Sequence, residues 1–209
     1  MSPSGLLLFA KGVGLGFSIA APVGPIGLLC LRRTLAYGRL SGFVSGLGAA
    51  TADACYGSVA GFGLTAIAAF LVRQETILRS VGGLFLLYLG IRTMLARPAR
   101  QAADSADEGL LKDYVSTLAL TLTNPFTILA FAAIFSGLGI VRAQSHAAAG
   151  LLVLGVFLGS STWWLILSTV VGASRSHFPP GRMRTVNRVS GLIVLGFAVE
   201  ILVRVAGKG

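Results

Sequence analysis

Apolar runs of about 20 residues recur along the whole chain, and each is long enough to cross a hydrocarbon core of ~30 Å. They read as six spans over 12–31, 40–70, 76–96, 115–141, 147–173 and 186–206. An open sheet edge cannot be satisfied in lipid, and the alternating pattern of barrel strands is absent, so all six are predicted as α-helices. Only 11% of the residues are charged and the mean hydropathy is +0.83. A soluble domain carries about a quarter charged residues. The expected fold is therefore an all-α integral membrane protein with one domain over 1–209.

The net charge of +10 would suggest nucleic acid in a soluble protein. Here the arginines sit mainly between apolar spans, which points instead to membrane topology and anionic lipid headgroups. The first, third and fifth loops share a side and hold Arg32, Arg33, Arg39, Arg92, Arg97, Arg100, Lys112, Arg175, Arg182, Arg184 and Arg188. The other side holds Lys11, Arg73, Arg79, Arg142, Arg204 and Lys208. The basic side is expected in the cytoplasm and both termini outside. The first span has no basic residue ahead of its apolar run and continues past Pro22, so it reads as a retained helix rather than a cleaved leader. The third loop, over 97–114, is the one substantial polar segment and reads as a linker.

Two halves, about 1–96 and 115–209, can be laid over one another. Gly83 and Gly191 are 108 residues apart, as are Gly42 and Gly150. Proline breaks fall in spans one and four, at Pro22 and Pro25 and then at Pro125. Three spans is an odd number, so the second half enters the membrane inverted. This is the 3+3 inverted-repeat plan of many secondary transporters, with helices one and four broken.

The breaks are also where chemistry is expected. Two prolines and a glycine over Pro22–Pro25 cannot continue a regular helix. A half-helix restarting at Pro25 offers free N–H groups and a positive dipole end, which suits a carboxylate. Irregular backbone at this depth is tolerated only where protein or a watery cavity satisfies it. Asp53 lies ~20 Å into span two at helical rise, so it can meet both breaks near the midplane. A buried carboxylate is costly and is by default a functional candidate, for an ammonium group or a proton. Asn124, beside Pro125, is the preferred polar contact at the second break. The candidate substrate-binding residues are Pro22, Gly24, Pro25, Gly27, Asp53, Asn124 and Pro125, with Asp53 also the candidate for proton coupling.

Other polar residues carry weaker signals. Glu200 sits four residues before Arg204 and is explained by an i,i+4 salt bridge. Gly42, Gly46, Gly57, Gly61, Gly155 and Gly159 give small-residue faces for helix packing. Trp163 and Trp164 lie deep in span five and are expected in the core or against lipid. Cys30 and Cys55 differ in depth by ~20 Å, too far for a disulfide between straight helices. His146 and His177 form no metal cluster, and no phosphate loop, zinc motif or nucleophile–base arrangement is present. No metal, cofactor or enzymatic activity is expected.

The stretch Ala21-Pro22-Val23-Gly24-Pro25-Ile26-Gly27, the Arg32–Arg39 segment and the run Gly46 to Ala54 around Asp53 resemble the LysE/RhtB family of amino-acid exporters. Gly83 to Arg92, Asn124-Pro125 and Gly191 to Gly196 extend the resemblance over nearly the whole chain. Many members have an uninterrupted Pro-Gly-Pro, and here Val23 is inserted. The resemblance implies a bacterial inner-membrane exporter driven by protons or membrane potential, with an amino acid or related small metabolite as substrate and a homodimeric assembly. The expected mechanism is alternating access around a midplane cavity between spans one, two and four. The substrate carboxylate would sit near Gly24–Gly27, and the single acid at that depth favours neutral substrates. The alternatives are export of another small solute or cation, and a membrane thiol–disulfide carrier using Cys30 and Cys55.

Overall fold

Proline divides the first apolar run into two helices, α1 (Pro3–Ala20) and α2 (Pro25–Tyr37), set at 80° to one another. In the computed structural model the described residues are 3–22, 24–62, 70, 73–95, 106–124, 127–128, 130–131, 145–174 and 180–207. Gly24 is the extended N-cap of α2, Pro25 follows it, and the Leu28 amide closes the first turn onto the Gly24 carbonyl at 3.0 Å. This is the helix start that a proline lacking an N–H favours. The helix ends at Gly38, whose φ of 103° lies in the left-handed region, with its amide on the Thr34 carbonyl. A side chain there would be strained.

The remaining helices are α3 (Arg39–Gly61), α4 (Glu75–Leu95), α5 (Ala106–Leu122), α6 (His146–Ala173) and α7 (Pro180–Ala206). Ser145 caps α6 by accepting the Ala148 amide. Two expectations shift. The first loop shrinks to Gly38, so Arg32 and Arg33, read from the sequence as loop charges, lie within α2 and are buried. The segment expected as a linker over 97–114 is helical from Ala106 onward.

Among the described residues, Thr76–Leu95, His146–Ala173 and Arg184–Ala206 are each long and apolar enough to cross a membrane, and the bent α1–α2 pair passes as a fourth, broken span. α5 has only 17 residues, and α3 is diluted by glycine, serine and Asp53. The surface is inverted relative to a soluble domain. Leu84, Leu192, Ile193, Val170 and Val203 are exposed, whereas Arg33, Ser45, Asp53, Thr117, Asn124 and Ser160 are buried. Such an apolar exterior is stable against lipid, not water.

Backbones approach closely where glycine permits. A Cβ at Gly12, Gly16, Gly155 or Gly159 would fall on the carbonyl of Leu152, Val156, Phe9 or Val13 respectively, so α1 and α6 lie in parallel backbone contact. In the same way α5 lies parallel to α3, with the Tyr114 carbonyl against Gly48. α3 crosses α6 antiparallel, with Gly46 under Trp164 and Gly57 against Val156. α4 and α7 pair antiparallel, with Gly83 against Leu202, Gly90 against Leu195 and Gly191 against Met94. Gly150 and Gly196, two of the sequence landmarks of the repeat, face open space.

Candidate functional site

Three local features converge where α2 restarts. The first is the break itself. The amides of Ile26 and Gly27 belong to the first turn of α2 and have no partner within the helix. The second is a matching break after α5. Helix α5 stops at Leu122, Thr123 and Asn124 are non-helical, and helix resumes at Thr127. The Ile128 amide closes onto the Asn124 carbonyl at 3.1 Å, as Leu28 closes onto Gly24. Asn124 also donates its side-chain amide to Thr127 Oγ1 at 3.1 Å. The Leu122 carbonyl, at the end of α5, accepts the Tyr56 hydroxyl at 2.6 Å.

The third feature is Asp53 on α3, 3% exposed. Its Oδ2 accepts the Ser160 hydroxyl of α6 at 2.8 Å, and Ser160 Oγ in turn accepts the Trp164 indole N–H at 3.2 Å. Among the described residues no ion pair involves Asp53. Among the described residues the carboxylate is thus held by one neutral donor, which leaves it capacity for a proton or a cationic group.

These features line one cavity of about 340 Å³, bounded by Pro22, Gly24, Pro25, Ile26, Gly27, Asp53, Thr121, Asn124, Thr127 and Trp164 with apolar Ile19, Ala20, Ala49, Ala130 and Phe197. That volume suits a small molecule, and a mostly apolar wall with a few convergent polar groups is the usual form of such a site. Of the seven residues predicted from sequence, Pro22, Gly24, Pro25, Gly27, Asp53 and Asn124 meet here. Pro125 lies outside the described residues, as does the inserted Val23.

The LysE type translocator family model matches residues 17–204, a stretch that contains every lining residue of this cavity. The chain belongs to the LysE type translocator family. It is 27% identical over 198 residues, 91% of this chain and 93% of the relative, to the Bacillus subtilis (strain 168) protein described as "Putative amino acid efflux protein YcgF". It is 30% identical over 177 residues, 82% of this chain and 78% of the relative, to the uncharacterized membrane protein YahN of Escherichia coli (strain K12). No solved structure matches the chain.

Two residues of this translocator's site, Ser160 behind Asp53 and Thr127 in the cavity wall, carry no signal in the sequence. Ser160 has no distinguishing neighbour in an apolar helix; the repeat offset of 108 places position 161, one residue away, opposite Asp53. Trp164 lines the cavity and is buried, whereas Trp163 stands edge-on to Phe17. Thr127 accepts the Asn124 side-chain amide at a helix start that the second break creates. Cys30 is buried in the core, Cys55 is exposed, and both are free thiols. Glu200 and Arg204 form the expected i,i+4 pair at 2.8 Å.

Proposed function

We propose that this translocator exports amino acids, or closely related small metabolites, across the bacterial inner membrane by alternating access, coupled to protons or to membrane potential. The observation that carries the reading is the cavity that unites two helix breaks with the buried Asp53. The free amides at Ile26 and Gly27 take the substrate carboxylate at a positive helix end. Asp53 takes the ammonium group or the coupled proton, and Asn124 adds a neutral polar contact. The efflux description of the Bacillus relative supports the amino-acid class and the direction.

The chain acts as six spans in two inverted halves, about 1–96 and 115–209. Supporting this, α1 packs on α6 as α5 packs on α3, and the breaks at Gly24 and Asn124 close their first turns alike. The ends of α2 and α4 and the starts of α3, α5 and α7 lie on the basic side, assigned to the cytoplasm by the positive-inside rule, with both termini outside. The assembly is taken as a homodimer, as the family resemblance implies.

The test is efflux of a labelled amino-acid panel from cells holding wild type or Asp53→Asn at equal membrane abundance. Asn keeps the shape and removes the titratable charge, so substrate-selective efflux falls at least about tenfold, the scale of a lost charged contact. Full efflux in the variant demotes Asp53 to structure, and no amino-acid efflux by abundant wild type rejects the substrate class.

A further inference from the structure

A second space opens at the far end of α2. It is about 700 Å³ and is lined by Arg32, Arg33, Arg92 and Lys112, with Asp113 the one acid among its described lining residues. Arg33 and Asp113 cancel each other. Arg33 Nε meets Asp113 Oδ1 at 3.0 Å, and its Nη1 donates to Ser45 Oγ and Thr117 Oγ1. Among the described lining residues three positive charges remain. Arg32, 9% exposed, is fixed through Nε on Asn187 Oδ1 at 3.0 Å, while Arg92 and Lys112 are more open. Cations on a concave protein wall focus their field and raise the local concentration of anions, by about 10- to 1,000-fold in strong cases.

Between this vestibule and the midplane cavity lies a void of about 10 Å³, room for one water at most. Its lining shares Pro25 with the midplane cavity, and Leu29, Arg32, Leu89 and Thr93 with the vestibule. Leu28, Leu86, Leu120, Val194 and one polar residue, Ser190, close the rest of it. The three spaces therefore follow α2 in order, with a largely apolar plug in the middle.

The geometry points to the vestibule as a second binding station, where Arg32, Arg92 and Lys112 take the carboxylate of a small solute before it passes the plug. The identity of that solute as the exported amino acid rests on the function proposed above. Arg32 is enclosed by α7 and α4 rather than spread on the outer surface, which favours a small soluble anion over a lipid headgroup.

The experiment uses the full chain with Cys30 and Cys55 replaced by alanine and one cysteine introduced by Leu110→Cys, in bilayers of zwitterionic lipid. Labelling rates are measured with a sulfonate-bearing and a trimethylammonium-bearing thiosulfonate, each normalised to its rate with a free thiol. The anionic reagent is favoured about tenfold, at the low end of electrostatic focusing. The preference disappears in Arg92→Gln/Lys112→Gln, whose side chains lie away from the core, and in Arg32→Gln if that variant keeps its melting temperature. Millimolar alanine slows labelling by the anionic reagent and alaninamide does not. A preference below about twofold in the parent, where focusing should act fully, overturns the proposal. So does a preference that anionic lipid alone abolishes, which assigns the site to headgroups. Efflux is assayed on the same variants. Efflux without anion preference removes the vestibule and leaves the exporter; anion preference without efflux keeps the anion site and removes the exporter.

Discussion

Ser160 is the only described side chain that hydrogen-bonds the Asp53 carboxylate, and it also accepts the indole N–H of Trp164. Ser160→Ala strips a buried carboxylate and a buried N–H of their partner at once. Leaving such groups unsatisfied costs about 1–3 kcal/mol. The variant melts at lower temperature in detergent and exports more slowly at equal abundance. Its neighbour gives the opposite expectation. The Ser161 hydroxyl is buried with no hydrogen-bond partner among the described residues, so Ser161→Ala removes an unsatisfied group and leaves the melting temperature unchanged or raised. Equal losses in both variants would show that α6 responds to any change here, not to Asp53. Asp53 itself was legible in the sequence because a charge inside an apolar run has no inexpensive explanation. Ser160 was not, because a serine can satisfy its own hydroxyl on the preceding turn, as Thr51 and Ser58 do.

At the scale of elements, the breaks were readable and the contacts between helices were only half so. Proline announces the end of α1 and the start of α2 whatever surrounds it. The second break was also announced by Asn124-Pro125, but where α5 begins was not, because the polar residues ahead of it are equally compatible with loop. The glycines of α6 were expected to pack, yet their partners Gly12 and Gly16 on α1 were not singled out. A face of small residues shows that something approaches, not what. Gly16 offers a sharp test, since a Cβ there would fall on the Val156 carbonyl, whereas a Cβ at Gly14 meets nothing within 4 Å. Gly16→Ala forces the helices apart and costs about 1–3 kcal/mol, as overpacking does. Gly14→Ala is neutral or stabilising by up to about 1 kcal/mol, the gain in helix propensity of Ala over Gly. Thermal unfolding in detergent and membrane abundance measure both. A tolerated Gly16→Ala would mean that α1 does not sit against α6 as described.

At the scale of the whole molecule, the vestibule and the midplane cavity are separated at one place, the plug around Leu28, Leu29, Leu86 and Val194. Their order along α2 could not be read from the sequence. It depends on α7 returning beside α2, a contact that joins Arg32 to Asn187 across 155 positions. Export through this route requires α2 to part from α7 and α4 so that a solute larger than water can pass. The contacts of α1 with α6 and of α3 with α5 are of another kind, backbone against backbone. On its other side α2 is tied to α3 and α5 through Arg33, so the separation to test is the one at the face that α2 shares with α7 and α4. A bridge across the plug tests this directly. With cysteines at Leu28 and Val194 in a background lacking Cys30 and Cys55, a short reducible bis-thiosulfonate should stop efflux in proportion to the fraction of chains bridged. Reduction should restore it, and either single cysteine treated alike should keep its efflux. Undiminished efflux from fully bridged protein would mean that α2 stays against α7 throughout the cycle, so that solute reaches Asp53 by another way.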